Sequence, residues 1–434
     1  MKEKIIETAV CPFCACLCDD VVISVDVEGN RIKEIRNACT FGVEKFLSAG
    51  KAALRLKKPV VNGKETDYED AIEKAVDILR TANKPLIYGL GNSGYNAQRV
   101  ALELAKLKKG VYDITESICH NLLYLELKKC PFYYALLDEI RDNAQVVIYW
   151  GANPIVSHPR HLSRYSVYPV GRYAMNGVMD RELITIDVVD SELKKISRWF
   201  LRVNPGEDAE IAEILRRLVK GDSLRELVKG EMDIDTVRKI ADELKKAFYG
   251  VIFVGLGVLS SENGSKNIEA ILALVDALNK EDVKFVLFPM KGHFNVLGAV
   301  NLLLRETGYP FGVDFSRDNI FEPGKTTVLD VIVREEVDAA LIVGADPVSS
   351  FPGDIARKLC DLPIILIDPF ETPTTQFASV AIPTAITGVE TEDIAYRMDG
   401  LPLKLEKIVD CEYPADRDIL ERIYKASAQK SIDF

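Results

Sequence analysis

Short apolar runs alternate with amphipathic stretches through most of the chain. Runs of four or five largely apolar residues have the length of buried strands, and stretches with apolar residues at helical spacing lie between them. Strands that alternate with helices form parallel sheets with helices on both faces. The sequence therefore predicts an α/β fold. The predicted strands are 85–88, 146–150, 183–186, 251–254, 285–288, 340–343 and 364–367, and the clearest predicted helices are 71–79, 209–219 and 268–278.

The N-terminal segment follows a different pattern. Residues 21–27 and 31–35 are two alternating runs separated by Glu28-Gly29-Asn30. Alternation on both sides of a short glycine-containing turn predicts a β-hairpin. Such a hairpin would carry Cys39 back beside Cys18.

Glycine-rich turns follow two of the predicted strands. Gly89-Leu90-Gly91-Asn92-Ser93-Gly94 precedes a helical pattern and has Asp113 about twenty residues later, which formally meets the dinucleotide-binding fingerprint. Gly255-Leu256-Gly257 repeats its opening without the third glycine. We interpret both segments as tight strand-to-helix turns, with NAD binding as the alternative.

A second repeated motif lies at the ends of predicted strands. Trp150-Gly151-Ala152-Asn153-Pro154 and Val343-Gly344-Ala345-Asp346-Pro347 each follow a predicted strand, and the next strand in each case ends in an acid, Asp187 or Asp368. Ligands of α/β sheets bind at the carboxyl ends of strands, and an acid there can bond a ribose or a guanine edge. The repetition predicts two similar nucleotide moieties; the alternative is duplicated architecture without a ligand.

Five of the nine cysteines lie in the first 39 residues: Cys11, Cys14, Cys16, Cys18 and Cys39. Four thiolates spaced by two residues, by three residues and by a longer return can surround an iron–sulfur cube. The spacing fits zinc less well, because two separate C-x2-C pairs are usual there. Unliganded thiols and a disulfide framework are further alternatives. The spacing selects Cys11, Cys14, Cys18 and Cys39 as ligands of a [4Fe–4S] cluster and makes Cys16 the spare.

Composition narrows the class of protein. The 434 residues are 48% hydrophobic and 28% charged, which is typical of a globular protein of two to four domains. A net charge of −11 argues against nucleic acid or an anionic membrane as partner. The sequence has no apolar run long enough to span a bilayer and begins without a signal-peptide pattern, so we expect a cytoplasmic protein.

Several motifs along the chain resemble those of one family. A cluster-like N-terminus followed by two nucleotide-binding sheets resembles the molybdopterin oxidoreductases, and within them the motifs are similar to those of the B subunits of formylmethanofuran dehydrogenases. The motifs are Ser117-Ile118-Cys119-His120, Trp150-Gly151-Ala152-Asn153-Pro154, Ser157-His158-Pro159-Arg160-His161, Phe288-Pro289-Met290-Lys291-Gly292-His293-Phe294-Asn295-Val296, Glu306-Thr307-Gly308-Tyr309-Pro310, Val313-Asp314-Phe315-Ser316, Thr372-Pro373-Thr374-Thr375, Ile382-Pro383 and Ala395-Tyr396-Arg397-Met398-Asp399-Gly400.

This resemblance implies a domain plan. Residues 1–58 would form the small iron–sulfur domain, residues 59–118 with 292–434 one Rossmann-like α/β pterin-binding domain, and residues 119–291 the other. The sequence ends at Phe434 without the C-terminal β-barrel domain that closes over the pterins in most members. In this family the closing piece is a separate subunit, so the resemblance implies an obligate partner.

The resemblance also implies cofactors and site residues. Tungsten or molybdenum would be held by two molybdopterin guanine dinucleotides and by Cys119, because a soft thiolate suits either metal. His120 would exchange protons, since imidazole titrates near neutral pH. Lys291 stands where relatives have arginine and would hold an oxyanion without the bidentate fork. The expected cofactor-binding residues are Asn153, Asp187, Gly206 and Asp208 for one dinucleotide and Gly344, Asp346, Asp368, Thr374 and Thr375 for the other. His158, Arg160, His293 and Asn295 are further expected cofactor-binding residues.

A basic residue two positions after the fourth cluster cysteine bridges toward a pterin in many molybdopterin enzymes. Phe41 occupies that position here, and Lys45, one helical turn later, could replace it.

The activity implied by the resemblance is the reversible two-electron reduction of CO2 to formate, fed through the [4Fe–4S] cluster. Formate would pass to an amidohydrolase-like subunit for condensation with methanofuran, and ferredoxin-like proteins would donate electrons. This chain alone would then not make formylmethanofuran. The alternatives are a stand-alone formate dehydrogenase and a non-catalytic electron-relay or scaffold homologue.

Overall fold

A computed structural model describes residues 3–49, 54–120, 123, 125–126, 134–223, 233–260 and 263–429. The chain divides into two compact units. The first unit comprises Met1–Ile118 and His293–Phe434, and the second comprises Cys119–Gly292. No helix among the described residues is long and apolar enough to cross a bilayer.

An eight-stranded sheet forms the centre of the first unit. Its five inner strands are parallel, and the pairs at both ends are antiparallel. Buried residues of the inner strands, such as Leu86, Ile342 and Leu366, pack with apolar residues of the flanking helices. In spatial order the strands are Val313–Asp314, Val111–Ile114, Pro85–Gly89, Ala339–Val343, Ile364–Ile367, Val380–Ile382, Val60–Val61 and Lys64–Glu65.

Helices of the first unit connect these strands. The helix Tyr68–Thr81 buries one apolar face that includes Ala71, Ile72 and Leu79, as the 3.6-residue period of its sequence predicts. Its other helices are Tyr95–Leu107, Val296–Thr307, Val328–Val333, Gly353–Cys360 and Asp416–Gln429, with shorter turns at Pro347–Ser350, Phe315–Arg317 and Pro373–Phe377; Glu116–Cys119 begins in this unit.

The N-terminal part of the first unit is a three-stranded antiparallel sheet followed by a helix. Its strands are Glu3–Ala9, Val21–Asp26 and Arg31–Arg36, and the helix is Thr40–Ser48. The last two strands form the hairpin expected from the sequence. A two-stranded sheet of Asp393–Tyr396 and Pro402–Leu405 lies against the loop before Val21, where Met398 N donates to Ala15 O at 3.0 Å.

The second unit contains a five-stranded, entirely parallel sheet. The strand Val146–Trp150 is buried along its whole length, and Ile211, Leu215 and Leu218 present one face of a helix to the same core. In spatial order the strands are Trp199–Arg202, Glu182–Asp187, Val146–Trp150, Tyr249–Val254 and Lys284–Pro289. The helices are Leu137–Asn143, Asp208–Lys220, Ile234–Lys246 and Gly264–Leu278, with short turns at Pro154–Ser157, Leu162–Ser166, Gly177–Asp180, Glu192–Lys195 and Leu256–Leu259.

The strands and helices predicted from the apolar pattern are present within four residues of their expected bounds, and the strands 146–150 and 364–367 match those bounds. The expectation of parallel sheets is too simple for the first unit, because Val313–Asp314 at one end of its sheet, and Val60–Val61 and Lys64–Glu65 at the other end, run antiparallel to their neighbours. Two-residue strands carry no periodicity that a sequence pattern could reveal.

Candidate functional site

The loop from Cys11 to Cys18, which we call the thiol loop, brings three of the predicted cluster ligands together. Cys11 N donates to Cys18 O at 2.9 Å, and Leu17 N donates to Cys14 O at 3.1 Å. Leu17 adopts φ 38°, a left-handed conformation that side chains rarely take and that tightens this turn. The backbone is therefore strained where the three thiols are gathered.

Cys39 supplies the fourth thiol from the start of the helix Thr40–Ser48. Its sulfur caps that helix by accepting a hydrogen bond from Gly42 N at 3.3 Å. A methyl group on Gly42 would lie 3.4 Å from Cys11 Sγ and 3.7 Å from Cys39 Sγ. Both sulfurs thus border the same glycine, which leaves the space between them open.

The four thiols also interact electrostatically. Burial raises the pKa of Cys11 well above its usual value, and the neighbouring Cys14, Cys18 and Cys39 raise it further. The described cysteines form no disulfide. No three His, Cys, Asp or Glu side chains among the described residues are placed to hold one metal ion; in an iron–sulfur cube, each thiolate binds a different iron.

Cys16 lies against the predicted ligands rather than away from them. Its side chain is fully buried and is hydrogen-bonded with that of Cys14, which lowers the pKa of Cys14. Burial and the contact with Cys14 raise the pKa of Cys16 well above its usual value. Cys16, which the spacing makes the spare cysteine, therefore lies among the predicted ligands.

A cavity of about 640 Å³ lies in the first unit beside the thiol loop. Pro12 and Phe13 of that loop form part of its wall, and Phe41 and Lys45 of the following helix form another part. The turn after the strand Ala339–Val343 contributes Gly344. The cavity thus extends from the thiol loop to one of the two predicted nucleotide-binding turns.

Two buried carboxyl groups line the same cavity. Burial raises the pKa of Asp368 to about 7, and the nearby Asp346 and Asp416 add to this shift. Burial likewise raises the pKa of Asp416 to about 6. Sequence analysis missed Asp416, and the only signal for it was an acid at the start of an amphipathic C-terminal helix.

Other expected residues of the first unit are engaged within the chain. Asp346 Oδ1 accepts hydrogen bonds from Thr374 N at 3.1 Å and Thr374 Oγ1 at 2.6 Å. Thr375 Oγ1 accepts from Thr372 N at 2.9 Å. Asn295 donates to Ser93 O at 2.8 Å and accepts from Tyr396 N at 2.8 Å. These side chains hold loops in place around the site.

The glycine-rich turn after Pro85–Gly89 packs by backbone contact. A methyl group on Gly89 would overlap Val343 O, and Gly89 has φ 110°. Asp113, the acid of the formal fingerprint, accepts hydrogen bonds from Gly312 N at 2.8 Å and Val328 N at 2.6 Å. This geometry favours the interpretation as a tight strand-to-helix turn, since the carboxylate is used inside the fold.

His293 lies on the same side of the first unit as this turn. A methyl group on Gly91 would lie 3.0 Å from His293 Cδ2. Burial lowers the pKa of His293, which the nearby Glu116 partly offsets.

The second unit brings together the other three histidines and Lys291. His158 Nε2 lies 2.6 Å from Lys291 O, and His120, His158, His161 and Lys291 are all buried. Burial, together with the proximity of His120, lowers the pKa of His158 to about 4. Cys119 is half-buried at the end of the short helix Glu116–Cys119. The three residues predicted to ligate the metal, to exchange protons and to bind an oxyanion thus all belong to one unit.

The expected nucleotide-binding residues of the second unit lie at its strand ends. Asn153 donates to Glu192 at 3.1 Å, while its Oδ1 is buried and has no hydrogen-bond partner among the described residues. Asp187 accepts from Val188 N at 2.7 Å. Asp208 accepts a hydrogen bond from Trp150 Nε1 at 2.7 Å, which satisfies the indole N–H group of this buried side chain. Gly206 turns the chain with φ 88°, and Arg160 is half-buried.

Comparisons with known proteins agree with these features. Residues 72–426 match the family model for molybdopterin oxidoreductases. Similar proteins include the B subunits of tungsten-containing formylmethanofuran dehydrogenase 2 from Methanocaldococcus jannaschii and Methanococcus maripaludis. The chain is 38% identical to the first, over 97% of this chain and 98% of that protein. It is 35% identical to the second, with the same coverage.

Solved structures show the same fold. A chain of the formyltransferase/hydrolase complex from Methylorubrum extorquens, solved with methylofuran, superposes with a TM-score of 0.70 and 21% identity, covering 86% of this chain and 99% of that one. Acetylene hydratase from Pelobacter acetylenicus superposes with a TM-score of 0.69 and 13% identity, covering 98% of this chain and 69% of that one.

Proposed function

Because this chain belongs to the molybdopterin oxidoreductase family, and within it to the B subunits of formylmethanofuran dehydrogenases, we propose that it is the component that interconverts CO2 and formate. The observation that carries this proposal is the match to those subunits along nearly the whole chain. The reaction consumes one proton and two electrons for each CO2 converted to formate.

The proposed [4Fe–4S] ligands are Cys11, Cys14, Cys18 and Cys39. Two observations support their fit to a cube. The other three thiols are close enough to raise the pKa of Cys11, and Gly42 leaves open space beside the sulfurs of Cys11 and Cys39. Backbone N–H groups that donate to such sulfurs, as Gly42 does to Cys39, raise the reduction potential of iron–sulfur clusters. Lys45 is a cation beside this site that also lines the cavity.

One molybdopterin guanine dinucleotide is proposed to occupy the cavity of the first unit. The cavity has the size of a small-molecule site. Gly344 allows a ligand to approach the backbone closely, and the carboxyl groups of Asp368 and Asp416 can accept hydrogen bonds from a guanine edge. The second dinucleotide is proposed to use Asn153, whose buried Oδ1 is available, together with Asp187 and Gly206.

Cys119, His120 and Lys291 are the proposed catalytic residues. When bound, the metal–pterin centre would supply two-electron chemistry and the cluster would supply electrons singly. Cys119 would ligate tungsten or molybdenum through its thiolate. His120, which is buried, would hold the proton that formate formation consumes, and the ammonium group of Lys291 would bind the negative charge of formate.

The chain is proposed to act within a complex. The relatives are named as components of a multi-subunit dehydrogenase, and the structural neighbour from Methylorubrum extorquens is part of a formyltransferase/hydrolase complex. We propose that formate passes to an amidohydrolase-like subunit for condensation with methanofuran, that a further subunit closes over the pterins and that ferredoxin-like proteins supply electrons.

Metal content and formate oxidation of the natively purified complex test the proposal together. We expect about one tungsten or molybdenum atom and about four iron atoms for each copy of this chain. We also expect formate-dependent reduction of a viologen dye, lost in Cys119→Ala. Iron without tungsten or molybdenum, and no formate oxidation, would instead support a non-catalytic electron-relay subunit.

A further inference from the structure

His158 makes contacts that differ from those of a cofactor ligand. Its Nε2 lies 2.6 Å from Lys291 O and its Nδ1 lies 2.8 Å from Ser157 Oγ. The ring is almost completely buried, with 1% exposed. Both ring nitrogens therefore have a partner within the chain.

The partner of Nε2 fixes the position of the hydrogen on the ring. A backbone carbonyl oxygen only accepts hydrogen bonds, so Nε2 must carry the hydrogen and donate to Lys291 O. In the neutral ring, Nδ1 then accepts the single hydrogen of the Ser157 hydroxyl group at 2.8 Å, a hydrogen that this hydroxyl group would otherwise donate to Asn153 O at 3.0 Å. Burial keeps the ring neutral, since it lowers the pKa of His158 to about 4.

His158 is itself held by one of the repeated strand-end turns. The short helix Pro154–Ser157 follows the turn Gly151-Ala152-Asn153, and His158 N donates to Pro154 O at 2.8 Å. His161 N donates to His158 O, also at 2.8 Å. The backbone on both sides of the ring is thus fixed by hydrogen bonds.

Lys291 lies where the sheet of the second unit ends. Met290 N donates to Val254 O at 2.9 Å, continuing the ladder past the strand Lys284–Pro289. Gly292 follows, and a methyl group there would meet no described atom within 4 Å. The hydrogen bond from His158 therefore acts at the junction between an ordered strand end and a glycine with open space beside it.

We propose that His158 is a positioning residue, which holds the main chain of Lys291 and thereby sets where the lysine ammonium group points. This inference rests on the proposed role of Lys291 in binding formate. It replaces the contact with a pterin expected for His158 from the sequence, and it connects two motifs 133 residues apart in the second unit.

Three substitutions separate this role from simple packing. The side-chain nitrogen of His158→Gln is as many bonds from Cβ as Nε2 and can donate to the same carbonyl. The nitrogen of His158→Asn is one bond shorter and corresponds to Nδ1, while His158→Phe keeps the ring without any donor. Glutamine should restore the contact, and asparagine and phenylalanine should not.

Steady-state kinetics of formate oxidation by the complex give the first readout. A misplaced ammonium group weakens substrate binding, so we expect KM for formate to rise about tenfold or more in the Asn and Phe variants, with a smaller change in kcat. The Gln variant should stay within about threefold of the wild-type KM. An unchanged KM in both the Asn and Phe variants, or a Gln variant as impaired as the Phe variant, would overturn the proposal.

A second readout does not depend on activity. The four histidines of the full chain can be labelled with 15N, and the His158 signals identified by their loss in His158→Gln. We expect a neutral ring protonated at Nε2 between about pH 6 and 8. A ring protonated at Nδ1 would refute the positioning contact, whereas absence of formate oxidation with the expected tautomer would refute only the proposed function.

Discussion

At the scale of single residues, the thiol loop shows how neighbouring groups shift the pKa of each cysteine. Cys14 and Cys16 are hydrogen-bonded to each other, yet their pKa values shift in opposite directions: that of Cys14 falls because Cys16 donates to it, and that of Cys16 rises through burial. A thiolate, not a thiol, binds metal. Within this pair the hydrogen bond makes Cys14 the acceptor and Cys16 the donor.

Alanine substitutions at two cysteines test the choice of Cys18 over Cys16 as a cluster ligand. Cys16 and Cys18 are both buried, so Cys16→Ala and Cys18→Ala remove side chains of the same size from similar surroundings. We expect the full chain to keep its iron–sulfur absorption in Cys16→Ala and to lose it in Cys18→Ala, because of the two only Cys18 is a proposed ligand. Loss in Cys16→Ala with retention in Cys18→Ala would exchange their roles.

The buried carboxyl group of Asp368 predicts a pH dependence of stability. Its pKa is raised to about 7 in the folded chain, so the folded state binds a proton that the unfolded state has released above about pH 4. Stability from this group is fully present below the unfolded pKa and is lost as pH rises through the folded pKa, at about 1 kcal/mol for each pH unit.

Asp368→Asn removes that titration while keeping an oxygen for the hydrogen bond from Phe370 N. We expect the free energy of unfolding of the full chain, measured with urea, to fall less between about pH 5 and 7 in the variant than in the wild type. Parallel pH profiles for the two proteins would show that Asp368 is not protonated in the fold.

At the scale of elements, the two repeated turns have nearly the same backbone. Gly151 and Gly344 have φ 57° and 58°. Asn153 and Asp346, which cap the following short helices, have φ −118° and −122°. The sequence echo thus corresponds to repeated geometry. The sequence could not reveal that Asp346 accepts a hydrogen bond from Thr374, whereas Asn153 Oδ1 is buried without a partner among the described residues. Both features depend on tertiary packing.

Alanine substitutions at two glycines with positive φ compare the cost of a steric clash with the cost of backbone strain alone. Gly89→Ala would drive a methyl group into Val343 O at φ 110°, whereas Gly308→Ala meets no described atom within 4 Å at φ 80°. We expect Gly308→Ala to cost about 1 kcal/mol of unfolding free energy and Gly89→Ala about 3 kcal/mol or more. Equal losses on thermal or urea unfolding would show that the two sheet strands do not pack this closely.

At the scale of the whole molecule, local pattern revealed more of the fold than of the site. The alternation of apolar strands and amphipathic helices predicted the α/β architecture, because burial of these elements follows their period. Asp416 was missed because it lies in the C-terminal helix, far along the chain from Gly344 and Phe13, and only the tertiary fold places all three around one cavity. The two-residue antiparallel strands at the ends of the first unit's sheet were missed because strands this short have no periodicity in sequence.

An anomalous-scattering map of the natively purified complex would locate the proposed metal centre. Data collected at the tungsten or molybdenum edge and at the iron edge locate the heavy metal and the cluster separately. We predict a heavy-metal peak at bonding distance from Cys119 Sγ and iron peaks enclosed by Cys11, Cys14, Cys18 and Cys39. A Cys119 sulfur packed among aliphatic side chains, with no heavy-metal peak beside it, would rule out Cys119 as the metal ligand.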